Sequence, residues 1–305
     1  MDDIRDIFFI NFYKKLKKNK KLILLSVDQG AMMLKKIQKD FPRNFINTGI
    51  SEQNAVNFAA GLAKEGYTPY IYLISAFVLR CIEQIKINLC SMNLKVGIIG
   101  SGPGFSYASD GPTHYFHEDY GLLKNYPNLN FFCTSDPNSS RFAFEKSYQS
   151  KNSSFIRLEK GAYPNFSKYS KVSLLQVFKG KKILVVTNGY LSNICFEIIN
   201  DLKAVSDFGL LDIRQFVPLN FNHLKKIFKF YNKIIFIDES SFISSINKDL
   251  LFFCLSDSLL KSKKYFTINT SFRFWKIAGD RNYLLSKNSL DKKSLKEELL
   301  RIKNL

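Results

Sequence analysis

Cysteine is sparse and unpatterned in this chain of 305 residues: Cys81, Cys90, Cys133, Cys195 and Cys254 are odd in number, scattered, and nowhere spaced as CxxC. That excludes a disulfide framework and a zinc site, and leaves five small residues suited to an apolar interior. Histidine is scarcer still. His114 and His117 stand three apart with only His223 elsewhere, which is poor material for a metal centre. Long apolar runs are also missing: the uncharged stretch Tyr67–Leu79 falls short of a bilayer span and is broken by Pro69, so no transmembrane helix is expected. The opening residues, with Asp2, Asp3, Arg5 and Asp6, lack the basic-then-apolar order of a secretory leader. The expected compartment is the cytoplasm. Glycine (15) and proline (8) are few, and 46% of residues are hydrophobic against 23% charged, which excludes collagen-like and disordered chains. At this length two domains are expected rather than one.

Acidic residues are outnumbered, 26 against 45 Lys and Arg, for a net charge of +19. Such an excess raises nucleic acid or a membrane surface as partners. The lysines are spread along the chain, however, and no zinc finger, basic heptad region or aromatic RNA-binding signature accompanies them, so neither partner is expected. The densest run, Lys14–Lys21, has six lysines in eight residues and abuts the apolar Leu22–Leu25. It reads as a solvated helix end.

What is present is an alternation. Apolar runs at Leu22–Val27, Tyr70–Ile74, Val96–Ile99, Leu129–Cys133 and Phe155–Leu158 read as buried strands. Helical patterns at Ala31–Lys39, Glu52–Lys64, Phe77–Met92 and Asn138–Gln149 separate them. This is the rhythm of a parallel sheet with helices on both faces. A polar, turn-rich stretch, Lys160–Lys182, interrupts it and reads as a linker. A second set follows: strand Ile183–Thr187, helix Ser192–Leu202, a strand ending near Ile213, strand Ile234–Ile237, and helices Ile243–Leu255 and Asp291–Ile302. The fold class is therefore α/β, with two doubly wound domains.

Three places hold polar residues that a plain scaffold does not need. In the first, Asn47–Asn54 (NTGISEQN) runs into a helix of small residues, Ala55–Ala63. Glu52 is a capping acid on the plainest reading. Entering a closely packed helix interface, it is also a candidate proton donor or relay. The second is Gly100–His114 (GSGPGFSYASDGPTH), a loop at the C-terminal end of a strand, where open α/β sheets bind ligands. It is neither a Walker loop nor GxGxxG. His114 at its end suits acid/base work or hydrogen bonding to substrate better than metal ligation. The third is Tyr72–Gln84, where Phe77 and Arg80 sit one turn apart and an arginine in an apolar stretch asks for a partner.

Together these residues resemble a family. GISEQN with AAGLA, then TPYIYLISAFVLRCIEQI, then SDGPTH with ED and YPNL, are similar in order and spacing to the pyrimidine-binding domain of transketolase and 1-deoxyxylulose-5-phosphate synthase. KILVVTNGYLSNICFEIINDL, LLDIRQFVPLN and KIIFIDES resemble the family's C-terminal domain, and Trp275–Ile302 its tail. The resemblance implies a pyrimidine-binding domain over 1–165 and a C-terminal domain over 180–305. It implies thiamine diphosphate as cofactor, with Glu52 on N1′ of the aminopyrimidine, Phe77 stacked on that ring, and Arg80 and Asp28 lining it. It places His114 near the reacting carbon as a catalytic residue, and Asp110 on a donor hydroxyl. Full-length members carry, ahead of this part, a domain that binds the diphosphate and Mg²⁺. The chain thus looks like the C-terminal subunit of a split transketolase, with no metal ligand of its own. It is expected to pair with an N-terminal diphosphate-binding subunit in an α2β2 heterotetramer that transfers a two-carbon ketol unit between sugars.

Departures from the family bear on substrate. The arginines that grip sugar phosphates are replaced by Gly100–Ser101 and Thr134–Ser135, while Arg157 and Lys160 match positions suited to an anion. Gln29 stands where the family has leucine. A specialised sugar, of surface polysaccharide or another specialised pathway, is the resulting expectation. The competing readings are a 2-oxo acid dehydrogenase β-type subunit, which THYFHED and YPNL disfavour, and a non-catalytic scaffolding subunit, which has no need of Glu52, Asp110 and His114 together.

Overall fold

The computed structural model describes residues 3–166 and 168–305. The chain forms two compact units: Met1–Pro103 with Leu123–Asn165, and Gly104–Leu122 with Phe166–Leu305. The loop segment that carries Asp110, His114 and His117 thus packs with the second unit, although the chain around it belongs to the first.

In the first unit α1 (Ile4–Leu16) is followed by β1 (Leu22–Ser26), α2 (Met32–Asp40), β2 (Phe45–Asn47), α3 (Glu52–Lys64) and β3 (Thr68–Ile74). A short turn α4 (Ile82–Gln84), β4 (Gly97–Ser101), α5 (Asp119–Leu123), β5 (Asn130–Cys133), α6 (Pro137–Gln149) and β6 (Ser154–Leu158) come next, the division between the units falling after Leu122 in α5. The strands are parallel, in the order β5-β6-β4-β3-β1-β2. Every residue of β1, β4 and β6 is buried, as expected where helices cover both faces and the strand sequences run apolar without alternation.

One face is an aromatic cluster. Phe8, Phe9 and Phe12 of α1 meet Tyr70 and Tyr72 of β3 and Phe144 of α6, with Phe8 to Phe144 at 5.4 Å and Phe9 to Tyr72 at 4.9 Å, both edge-on. Tyr70 needs room, and Gly97 on the adjacent strand supplies it: a Cβ there would lie 2.2 Å from the Tyr70 ring. The lysine run behaves as the sequence implied. α1 ends at Leu16, and Lys15 and Lys20 lie over the rings of Tyr148 and Phe41 at 4.3 and 4.1 Å.

The second unit holds β7 (Leu174–Phe178), β8 (Ile183–Thr187), α7 (Gly189–Asp201), β9 (Phe208–Ile213), a short β10 (Gln215–Val217), α8 (Phe221–Phe228), β11 (Lys233–Ser241), α9 (Ile246–Ser256), β12 (Lys264–Thr270), α10 (Arg281–Ser286) and α11 (Lys292–Asn304). Its sheet runs β12-β11-β8-β9-β7, with only β7 antiparallel in that order. Phe105, Ala108 and Tyr115 are buried in the same core as Ile183, Ile194, Trp275 and Leu295. That burial is why 104–122 belongs here.

The expected elements are present within a few residues; α5, α8, α10 and the short β10 are additional to them, and three further differences stand out. Phe77–Met92 is not one regular helix: Ser75–Cys81 is wound as 3₁₀, α4 is a single α turn, and Ile85–Ser91 is π-wound. Val78, Cys81, Ile85, Leu89 and Cys90 are buried along this segment. Lys160–Lys182 is not all linker, because β7 forms the sheet edge within it. β2 and β12, half-exposed edge strands, carry too little apolar alternation to be read from sequence. All five cysteines are free and buried, with burial pushing the Cys81 and Cys195 thiols up to about 12. Among the described residues no helix is long and apolar enough to cross a membrane.

Candidate active site

In the first unit Asp28 follows β1, Glu52 follows β2, and Phe77 and Arg80 follow β3, each beyond the C-terminal end of its strand. After Ser26 the chain turns through Asp28, which takes a left-handed φ of 50°, a conformation Asp tolerates because its side chain bonds locally. Asp28 N–H donates to Asn47 Oδ1 at 3.2 Å, and Asn47 Nδ2 donates back to Asp28 Oδ1 at 3.3 Å. Thr48 N–H donates to Ser26 O at 2.9 Å. The SVDQG turn and the loop leading into α3 are therefore stitched together, which fixes where α3 begins.

Glu52 is the first residue of α3 and is only 4% exposed. Ala55, Ala59 and Ala60 lie buried behind it, so the acid is set into a packed face, as the small-residue pattern implied. Its partner is Arg80, whose Nη1 lies 3.2 and 3.3 Å from the two carboxylate oxygens. Arg80 in turn lies over the ring of Phe77, Cζ to centroid 4.6 Å. The 3₁₀ winding sets that contact, since residues three apart eclipse one another at three residues per turn. Glu52, Phe77 and Arg80 are thus one connected group, and the arginine that asked for a partner has a buried carboxylate and an aromatic face. Cys81, next in the chain, is fully buried, and the Glu52 charge adds to the burial that holds its thiol protonated.

Arg157 and Lys160 are placed differently from each other. Arg157 is buried within β6, its carbonyl accepting from Thr134 N–H at 3.0 Å, whereas Lys160 is exposed just beyond the strand end.

In the second unit the loop is closed at its base by a two-way backbone pairing: Gly104 N–H to Phe116 O at 3.1 Å and Phe116 N–H to Gly104 O at 3.3 Å. Asp110 is exposed, and His114 is half-buried, with Nδ1 3.0 Å from Thr113 Oγ1. His117 is instead packed: its ring lies against Phe105 at 4.2 Å and Nδ1 is 3.1 Å from the carbonyl of Glu239. The two histidines three apart therefore serve different ends. Among the described residues no three His, Cys, Asp or Glu side chains are grouped to hold a metal ion.

Sequence reasoning missed Glu239 and Arg281. Glu239, buried near the end of β11, accepts from Phe105 N–H at 2.9 Å and pairs with Arg281 through Nε at 3.2 Å and Nη2 at 2.5 Å. Burial alone would raise its carboxyl, but Arg281, with His117 and the Phe105 amide, outweighs burial and holds it below the ordinary glutamate value. The available signal was KIIFIDES itself, an acid embedded at the end of an apolar strand.

Residues 3–165 match the family model described as "Transketolase, pyrimidine binding domain". The 1-deoxy-D-xylulose-5-phosphate synthase of Aliarcobacter butzleri is 28% identical over 226 residues, which cover 72% of this chain and 37% of that protein. Its counterpart from Buchnera aphidicola is 31% identical over 218 residues, covering 69% and 36%. The chain thus spans little more than a third of these relatives. A solved structure described as a split gene transketolase, an inactive β4 tetramer, superposes with a TM-score of 0.84 at 22% identity, over 99% of this chain and 98% of that one. The transketolase of Campylobacter jejuni superposes at 0.76 and 17% identity, over 98% of this chain and 46% of that one. With more than half of its length matched by the family model, the chain belongs to the transketolase pyrimidine-binding family.

Proposed function

We propose that this chain is the C-terminal subunit of a split, thiamine-diphosphate-dependent transketolase and transfers a two-carbon ketol unit between sugars once a partner subunit supplies the diphosphate and Mg²⁺ site. The carrying observation is the Glu52–Arg80–Phe77 group. A carboxylate almost wholly out of water, beside an aromatic ring and at the start of a helix, fits an aminopyrimidine, which offers a ring nitrogen to an acid and a flat face to an aromatic side chain. Bound thiamine diphosphate would supply the carbon nucleophile that takes up the ketol unit.

The remaining roles fall to the chain's own side chains. Glu52 would hydrogen-bond N1′ of the bound aminopyrimidine, and Phe77 would give the ring an apolar wall that excludes water. Arg80, on the same carboxylate, sets its orientation. Asp28, tied through Asn47 to the entry of α3, lines the cofactor side. Asp110 binds a donor hydroxyl, and His114, oriented through Nδ1 by Thr113, exchanges a proton or hydrogen bond at the reacting carbon. Arg157 and Lys160 suit an anionic part of a specialised sugar. The expected assembly is α2β2. It draws support from the end-to-end likeness of this chain to a split-gene transketolase chain.

The test is calorimetric titration of thiamine diphosphate with Mg²⁺ into the chain alone and into its mixture with the partner subunit. Heat of binding in the mixture only is the expected result. A mixture that forms but binds no cofactor ends the reading and leaves the scaffolding alternative.

A further inference from the structure

The loop that bears Asp110 and His114 has no regular structure beyond short 3₁₀ turns, Ala108–Asp110 and Pro112–His114. Such a segment keeps one shape only if its backbone is tied to something rigid. The structure shows the tie. Glu239 is 4% exposed on β11, paired on both sides in its sheet, and reaches the loop twice: its carboxylate accepts from Phe105 N–H at 2.9 Å, and its carbonyl faces His117 Nδ1 at 3.1 Å. One residue thus holds the loop near its start and just past its end. The approach depends on Gly104, where a Cβ would lie 2.6 Å from the Glu239 carboxyl carbon and where φ is +57°. Arg281, at the start of α10, grips both carboxylate oxygens and itself stacks on Tyr190, Cζ to centroid 4.0 Å. Tyr115 OH donates from within the loop to the carbonyls of Ala108 and Ile277, and Gly279 N–H donates to Ala108 O at 3.2 Å.

We propose that Glu239, fixed by Arg281, is the positioning residue that sets the loop presenting Asp110 and His114. This rests on the ketol-transfer reading for its effect on turnover, but not for its effect on the loop. Removing the carboxylate frees the Phe105 end, the hairpin base at Gly104 and Phe116 slackens, and His114 no longer returns to one place. A displacement of about 1 Å in a reacting group costs about 100-fold in rate.

The experiment compares two double variants in the assembled enzyme. In Glu239→Met with Arg281→Met neither partner is left as a buried lone charge, and such replacements usually keep the fold. The expected result is hydrogen exchange at the Phe105 amide accelerated about 100-fold and kcat lowered about 100-fold, with thiamine diphosphate affinity and melting temperature kept. In Glu239→Gln with Arg281→Met the acceptor for Phe105 N–H is restored, and both protection and kcat recover most of the loss. A purely structural role for the pair predicts the same kcat in both variants. Equal kcat and unchanged Phe105 exchange in the Met pair overturn the proposal. So does a Phe105 amide that, in the unaltered chain, exchanges as fast as those of Ser109 and Asp110, a measurement that stands even if a variant fails to fold. Should the ketol-transfer reading itself fail, turnover is absent in all proteins while the exchange difference persists.

Discussion

Replacing Glu52 by Gln separates two roles that a buried acid at a helix start can have. The structural one is bounded by Arg80: its side chain is 54% exposed, so water screens the attraction and the ion pair is worth about 0.2–1 kcal/mol. Gln keeps the volume and one acceptor oxygen, so packing against Ala55 and Ala59 is preserved. A loss of up to about 1 kcal/mol lowers the melting temperature of a unit this size by about 2–4 °C. The chemical role is far larger, because an acid that manages a proton in the reaction contributes about 10²–10⁴ in rate, or about 2.7–5.4 kcal/mol of barrier. The two magnitudes do not overlap. Thermal unfolding of the chain and single-turnover ketol transfer by the assembled enzyme, at saturating cofactor, measure them side by side. The expectation is a nearly unchanged melt with transfer reduced at least about 100-fold. Transfer within about twofold of the unaltered chain refutes the role of Glu52. A melt lowered by more than about 10 °C refutes the bound derived from Arg80 and makes the acid structural.

Three further expectations follow from packing and charge. Phe8→Ala opens the aromatic cluster against Phe144 and Phe9 and costs about 3–5 kcal/mol, read as a lower urea midpoint with an unchanged m-value. Asp212→Ala takes the carboxylate at 3.1 Å from Arg214 in a pair with neither side chain exposed, and removes the acceptor of Ser192 Oγ at 2.7 Å. It costs about 3–5 kcal/mol, whereas Asp212→Leu with Arg214→Met costs much less. Glu239 is held below its ordinary value of 4.5, so its contribution to stability is fully present above about pH 4.5 and is lost as pH falls through the folded value. Arg281→Met weakens that hold, and denaturant midpoints measured from about pH 6 down to about pH 3 should then fall less steeply.

Strand cores were readable because they are buried on both faces. Runs such as ILVVT and LILLS have one explanation in an α/β chain, and their bounds came out within a residue or two. Edge strands were not, since β12 (KYFTINT) alternates weakly and is half in water. The segment Ser75–Ser91 shows a different limit. Its composition says helix, but the change from 3₁₀ to π winding along it leaves no mark in the residue pattern. Glu52, Phe77 and Arg80 were each singled out, yet their union through one guanidinium rests on α3 and the 3₁₀ turn being neighbours, which no local pattern records. For Glu239 the strand KIIFIDES marks a buried acid, but its partners Phe105, His117 and Arg281 lie far from it in sequence and are not marked there.

The interleaved order of the two units has a consequence for synthesis on the ribosome. The first unit is complete when Asn165 emerges, but residues 104–122 then hang from it with Phe105, Ala108 and Tyr115 uncovered. Their core is supplied by the following roughly 140 residues, the last of them in α11, which at ordinary elongation rates take about 7–28 s to appear. The nascent chain therefore carries residues 104–122 as an apolar, unanchored segment for most of that time. Cutting the chain near residue 165 would leave each fragment in that condition permanently, one with an orphaned loop and the other with a hollow core. A gene for this protein tolerates fission far less readily there than its two-domain appearance suggests.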